Sequence, residues 1–174
     1  MSMRATFLCA GALAATLSAA VGLGSASARA TTMPERSPAE VAQASALVVE
    51  ATVLSEEVRR VGGRLVTVRE LQVHEVLRSS EGAAAPGRVS LVLPGGELEG
   101  IGQRVAGTPL LKAGARYVLC LSAPVLGAAR TVVGLWQGVW RVDGQGALLP
   151  FTHHGEAALA MPRAVLLPAL QGQP

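Results

Sequence analysis

The chain has two cysteines in 174 residues, and one of them, Cys9, lies in the first thirty. The other, Cys120, has no partner for an internal disulfide, so a domain beyond residue 30 must stand on its apolar core. Aromatic residues are as scarce: two Trp, one Tyr and two Phe. That excludes the extended stacking surface that single-stranded nucleic acid needs. Lys112 is the one lysine; the other fourteen of the fifteen Lys and Arg residues are Arg. With the Ala and Gly excess, this is the composition of a GC-rich, bacterial genome. No G-x-S-x-G motif and no Ser/His/Asp set appears in the sequence.

What the chain does have begins at its first residues. Arg4 precedes an uncharged, Ala-, Leu- and Gly-rich run from Ala5 to Ser27, closed by Ser27-Ala28-Arg29-Ala30. A positive start, an apolar middle and a small-x-small exit form a secretory signal, with cleavage expected after Ala30. Cys9 sits too early in the run for a lipid anchor. Beyond residue 30 no run approaches the roughly 17–25 apolar residues that span a bilayer, so no integral membrane segment is expected after cleavage. Removal of Arg4 and Arg29 leaves 13 basic residues against 12 acidic ones. The mature net charge is then near +1, and the basic residues are scattered, which argues against nucleic acid as a partner. The expected location is the periplasm or the extracellular space.

The remaining 144 residues suit one domain, and the 50% hydrophobic content of the chain supports a packed core. Residues 31–36 are a short polar lead-in. Ser37-Pro38-Ala39-Glu40 is a capping box, which predicts a helix to about Ala46 with Val41 and Ala44 facing inward. Strands are predicted over 47–54, 64–78, 88–93, 117–121, 131–137, 138–142 and 147–151, with turns at Val61-Gly62-Gly63 and Asp143 to Gly146. In the second strand Val66 and Val68 share one face, whereas Leu71 and Val73 share the other. A regular strand with one buried face cannot do this, so a bulge or bend is expected near Glu70. Cys120 sits in the continuous apolar run 117–121, which suits a strand buried on both faces. Pro94 to Pro109 is glycine-rich and predicts a structured loop with a weak strand. The tail 153–174 is read as irregular or partly helical. The succession of short strands without βαβ alternation predicts an all-β fold, mainly antiparallel. Its expected form is a small OB-like barrel, closed or partly open, over residues 37–152 with a short N-terminal helix.

The order of motifs supports that reading. The Ser37-Pro38-x-Glu40 opening, Thr67 followed by Val73 and Val76-Leu77-Arg78, the Gly95-Gly96 loop, Val105-x-Gly107-x-Pro109, Gly114-x-x-Tyr117-Val118-Leu119 and Val133-Gly134-Leu135-x-Gln137-Gly138 resemble a group of uncharacterised exported bacterial proteins. This resemblance spans residues 37 to 142. More distantly, the order is similar to the netrin-like, OB-barrel domain of tissue inhibitors of metalloproteinases. In those inhibitors an N-terminal Cys binds the protease zinc and disulfides brace the domain. Here residue 31 is Thr and Cys120 stands alone. The resemblance therefore implies a fold, and not inhibition by that route.

Candidate chemistry is thin. His153, His154 and Glu156 form the one cluster with zinc-ligand types, although adjacent His residues on a strand point to opposite faces. Cys120 has the setting of a buried core thiol rather than of a nucleophile. The Gly95–Gly107 loop lacks the following helix that a phosphate site needs. Trp136 and Trp140, four apart on an expected strand, would share one face. With Glu97 and Glu99 of the glycine-rich loop they are the candidate partner-binding residues. No cofactor is implied. The expected function is an exported, non-enzymatic binding or envelope-interaction module whose partner is an exported protein such as a protease. The alternatives are a small metal-dependent hydrolase and a structural periplasmic protein.

Overall fold

The computed structural model describes residues 33–82, 86–152, 155–156 and 159–172, with backbone alone for 155–156. The expected signal segment, residues 1–30, lies outside the described residues.

The first helix, α1 (Pro38–Gln43), starts on its capping box. The Ser37 hydroxyl accepts from the Glu40 amide at 3.3 Å, and the Glu40 carboxylate accepts from the Ser37 amide at 2.7 Å. The hydrogen bonds from Ser37 hold the Glu40 carboxyl below the usual carboxylate range. The helix ends three residues earlier than predicted. Ala44 becomes its exposed C-cap, and Val41 and Ala42 are the buried pair.

Among the described residues nine strands follow: β1 (Leu47–Val61), β2 (Arg64–Ser79), β3 (Arg88–Pro94), β4 (Gly96–Leu98), β5 (Ile101–Gln103), β6 (Arg116–Leu121), β7 (Val139–Val142), β8 (Leu148–Thr152) and β9 (Gly155–Glu156). A 3-10 turn (Leu135–Gly138) precedes β7, and helix α2 (Arg163–Gln171) ends the described fold. The main sheet runs β3-β2-β1-β6-β7-β8-β9, and every strand pair in it is antiparallel. β4 and β5 form a separate small hairpin. The fold is thus mainly antiparallel β with a short N-terminal helix. Among the described residues no helix is long and apolar enough to cross a membrane.

Three register shifts bend the β1–β2 hairpin. Val48 and Val49 pair with Arg78 and Val76, skipping Leu77; Glu50 and Ala51 pair with Glu75 and Val73, skipping His74; Val53 and Ser55 pair with Leu71 and Glu70, skipping Leu54. A shift therefore does lie opposite Glu70, but the extra residue is Leu54 on β1. β2 keeps strict alternation through this stretch, in unbroken register with β3 from Val66 to Gln72. The apparent change of phase has another cause. Val66 and Val68 pack with Val92 and Ala129 in a small cluster of their own on the outer face. Both faces of β2 are covered here, so apolar residues occupy both parities.

The sheet carries its main apolar clusters on opposite faces. On one face Val49, Ala51, Leu71, Leu91, Tyr117, Leu119 and Leu121 form the largest, and each is fully buried. On the other side α1 and α2 cover Val48, Val118, Cys120, Trp140 and Leu148, with Leu166 and Leu170 of α2 packed among them. Full burial of one such Leu or Val side chain contributes about 1.5–3 kcal/mol, so these clusters are the main source of stability among the described residues, whose one cysteine, Cys120, is free. β6 faces both clusters, as its continuous apolar run predicted.

The segment 131–137, predicted as a strand, is instead a connector followed by the 3-10 turn. Gly138, the last residue of that turn, has no room for a side chain: a Cβ at this position would lie 2.2 Å from the Val133 carbonyl oxygen. The connector still has a structural role. The Val92 amide donates to the Arg130 carbonyl at 2.7 Å, and the Arg130 amide donates to Ser90 at 2.9 Å. On its other side the Ser122 amide donates to Thr131 at 2.9 Å, and the Val133 amide donates to Cys120 at 2.8 Å. Residues 130–133 thus bond to β3, which ends the sheet, and to β6, three strands away.

Candidate functional site

The glycine-rich stretch after β3 folds into the β4–β5 hairpin, and the sequence explains where it sits. Gly96 has φ 138°, and a Cβ there would lie 2.7 Å from a Val58 methyl and 2.8 Å from the Thr67 hydroxyl. Only glycine lets the backbone come so close to the β1–β2 hairpin. Polar bonds fix the approach. The Thr67 hydroxyl donates to the Gly95 carbonyl at 2.8 Å, the Gly95 amide donates to Leu65 at 2.9 Å, and the Leu65 amide donates to the Gln103 side chain at 2.9 Å. The result is one end of the molecule made of two hairpins clamped together.

That end is exposed and charged. Glu97 and Glu99 both project from β4–β5, and Glu99 holds a left-handed turn conformation with φ 54°. Ile101 beside them is 55% exposed. The neighbouring β1–β2 hairpin adds Glu56, Glu57, Arg59, Arg60 and Arg64, all exposed. Arg59 binds the Glu57 carboxylate with two hydrogen bonds of 2.8 Å. They hold the Glu57 carboxyl below its usual range. Beneath this surface Arg69, almost fully buried, binds Glu56 at 2.6 Å, while its Nε finds no hydrogen-bond acceptor among the described residues.

The two tryptophans do not share a face. The 3-10 turn between them breaks the strand periodicity on which that expectation rested. Trp140 lies in the cluster beneath the helices, 3% exposed. Trp136 packs against the cluster of Val49, Tyr117 and Leu119 on the opposite face. Gly107 lies on its ring; a Cβ there would be 2.4 Å from the Trp136 Cζ3. Trp136 therefore anchors the loop that follows β5, and Trp140 belongs to the core. Together they do not form a partner-binding patch.

His153 and His154 lie outside the described residues, and Glu156 is described only as backbone of β9. Among the described residues no three His, Cys, Asp or Glu side chains converge as a metal site. Cys120 is fully buried, and burial pushes its thiol up to about 12, against smaller opposing effects from Ser45 and Arg78. A thiol so protonated is a poor nucleophile at neutral pH.

The sequence reading passed over two further polar clusters. Glu50, 2% exposed near the start of β1, sits between Arg116 at 2.8 Å and Arg163, the first residue of α2. Arg163 also reaches Glu75 at 3.1 Å. This network ties α2 to the sheet. Alternation with Val48 could have flagged Glu50, had α2 been known to cover that face. The second cluster lines an open cleft of about 250 Å³ formed by Pro86, Arg88, Ser90, Pro124 and Arg130 among others. Its Arg130 is already held by Glu81 through bonds of 2.9 and 2.7 Å and by the Ser122 carbonyl. Arg130 in turn keeps the Glu81 carboxyl below its usual range.

No protein-family model matches this chain, and no curated protein shows significant similarity to it.

Proposed function

We infer that this chain is an exported, non-enzymatic binding module built on an OB-like, partly open barrel. Residues 130–133 support the barrel reading, because they bridge the far strand β3 to β6 and make the parallel contact Leu91–Arg130 between otherwise antiparallel neighbours. The resemblance in motif order to exported bacterial proteins and to netrin-like domains is in keeping with it.

The observation that carries the binding reading is the clamped pair of hairpins. Glu97, Glu99 and Ile101 are exposed side chains on a hairpin held by three hydrogen bonds to its neighbour. A rigid, exposed surface of mixed charge with an apolar residue suits protein recognition, since little side-chain and loop ordering is left to be lost on binding. The expected partner is another exported protein with a basic, partly apolar surface.

The test is affinity capture with residues 31–174 from the envelope and culture fluid of the source organism, against a Glu97→Lys, Glu99→Lys, Ile101→Ser variant with an unchanged circular dichroism spectrum. A partner retained by the parent and lost by the variant supports the reading. A partner bound equally by both moves the surface elsewhere, and no partner at all returns weight to a structural periplasmic role. N-terminal sequencing of the exported protein tests the localisation: Thr31 is the expected first residue, and an intact Met1 would overturn cleavage.

A further inference from the structure

β1 is fifteen residues long, but β6 covers only its first part. Pairing with β6 runs from Leu47 to Thr52, and the last bonds on that edge join Val53 to Gly114 and Ala115. From Leu54 to Val61 the edge away from β2 pairs with no strand among the described residues. An open edge is a template for another strand, and proteins usually block it with charges. Here the charges have an order. The edge reads Glu56-Glu57-Val58-Arg59-Arg60, two acids and then two bases about one apolar residue. Leu54 and Val61, 45% and 38% exposed, mark its two ends.

That order is complementary to itself when reversed, which is what an antiparallel partner sees. In an antiparallel pair, residues directly opposite each other lie on the same face of the sheet. Two identical edges related by a two-fold axis normal to the sheet therefore pair positions of equal parity, and the axis passes through a residue. An axis at Glu56 or Glu57 sets a carboxylate against itself, and one at Arg59 or Arg60 sets a guanidinium against itself. An axis at Val58 places Glu57 opposite Arg59 of the second copy and Glu56 opposite its Arg60. Within each copy Glu57 already holds Arg59 on the outer face. Across the axis these four side chains close a ring of alternating charge.

We propose that this protein forms a two-fold homodimer through the Leu54–Val61 edge of β1, in the antiparallel register centred on Val58. The pairing joins the two sheets into one and removes the open edge. It does not use Glu97, Glu99 or Ile101, so the variant that tests the β4–β5 surface leaves this edge unchanged.

The test is sedimentation equilibrium of the purified protein with the single variants Glu57→Arg and Arg59→Glu. Measurement covers a wide concentration range, because interfaces burying less than about 1,200 Å² are weak or transient. The parent is expected to dimerise with rising concentration. Each variant alone should bind itself about tenfold or more weakly, because it brings like charges into direct opposition. An equimolar mixture of the two should regain the dimer, since the substituted arginine at 57 then faces the substituted glutamate at 59. That rescue cannot come from unfolded protein. A parent that stays monomeric throughout overturns the proposal. So does a dimer that neither variant weakens, or a mixture no stronger than its components.

Discussion

The first half of β1, Leu47 to Val53, is hydrogen-bonded on both edges and almost wholly buried. The second half, Leu54 to Val61, continues the same strand with one open edge and almost every side chain in solvent. The change comes at the skipped residue Leu54, where β6 also stops. One strand thus anchors the core and then carries a charged platform out of it. The two halves answer to different physics: packing and buried polar networks in the first, surface electrostatics in the second. A substitution should report which half it is in by what it changes.

The largest effect is expected where the first half is packed. Leu119 lies opposite Val49 and is fully buried, so Leu119→Ala should cost about 2–5 kcal/mol, read from the denaturant midpoint. Glu50→Gln comes next. It leaves Arg163 and Arg116 without their carboxylate, but Arg116 is 48% exposed and recovers water, so the loss should be roughly 1–3 kcal/mol. A Glu50→Leu, Arg163→Leu double variant should recover most of it. If it does not, the network contributes more than the mutual compensation of its charges. Gly107→Ala forces a Cβ into the Trp136 ring at φ 81° and should cost about 1–3 kcal/mol, with a change in tryptophan fluorescence. In the second half Glu57→Ala should leave the unfolding midpoint of dilute, monomeric protein unmoved and affect association alone. A clear loss of stability there would erase the distinction between the halves.

A chemical probe sharpens the same contrast. Cys120 is shielded on β6 with its thiol held up to about 12. Native protein should therefore react with a thiol reagent far more slowly than denatured protein. A cysteine placed at Arg59 should react at once. Rapid reaction of Cys120 in the native state would mean that β6 is not packed as described.

The sequence made the core legible where local pattern decides it. The capping box at Ser37 and Glu40, the apolar run 117–121 and the turn at Asp143–Gly146 all follow from local chemistry. It misled on β2 and on the two tryptophans. The parity of Val66 and Val68 pointed to an irregularity near Glu70; a register shift lies opposite it, on β1, but the parity itself reflects the small cluster with Val92 and Ala129. Trp136 and Trp140 look like a pair until the 3-10 turn separates them, and that turn depends on tertiary crowding at Gly138 that no local pattern reveals. For the candidate site, Glu97 and Glu99 were visible as charges in a loop. Their anchoring through Gly96, Thr67 and Gln103 was not, because those contacts join residues up to 38 apart in the chain. The ordered charges Glu56 to Arg60 were legible all along. They gain meaning once the edge that bears them is seen to be open.

Amide hydrogen exchange along β1, recorded on dilute and on concentrated protein, tests the account most directly. Leu47 to Val53 should exchange slowly at both concentrations. In Leu54 to Val61 the amides that point away from β2 should exchange quickly when dilute and become protected when concentrated. Protection of that edge in dilute protein, or no gain on concentration, would contradict the view that β1 is half core and half docking edge.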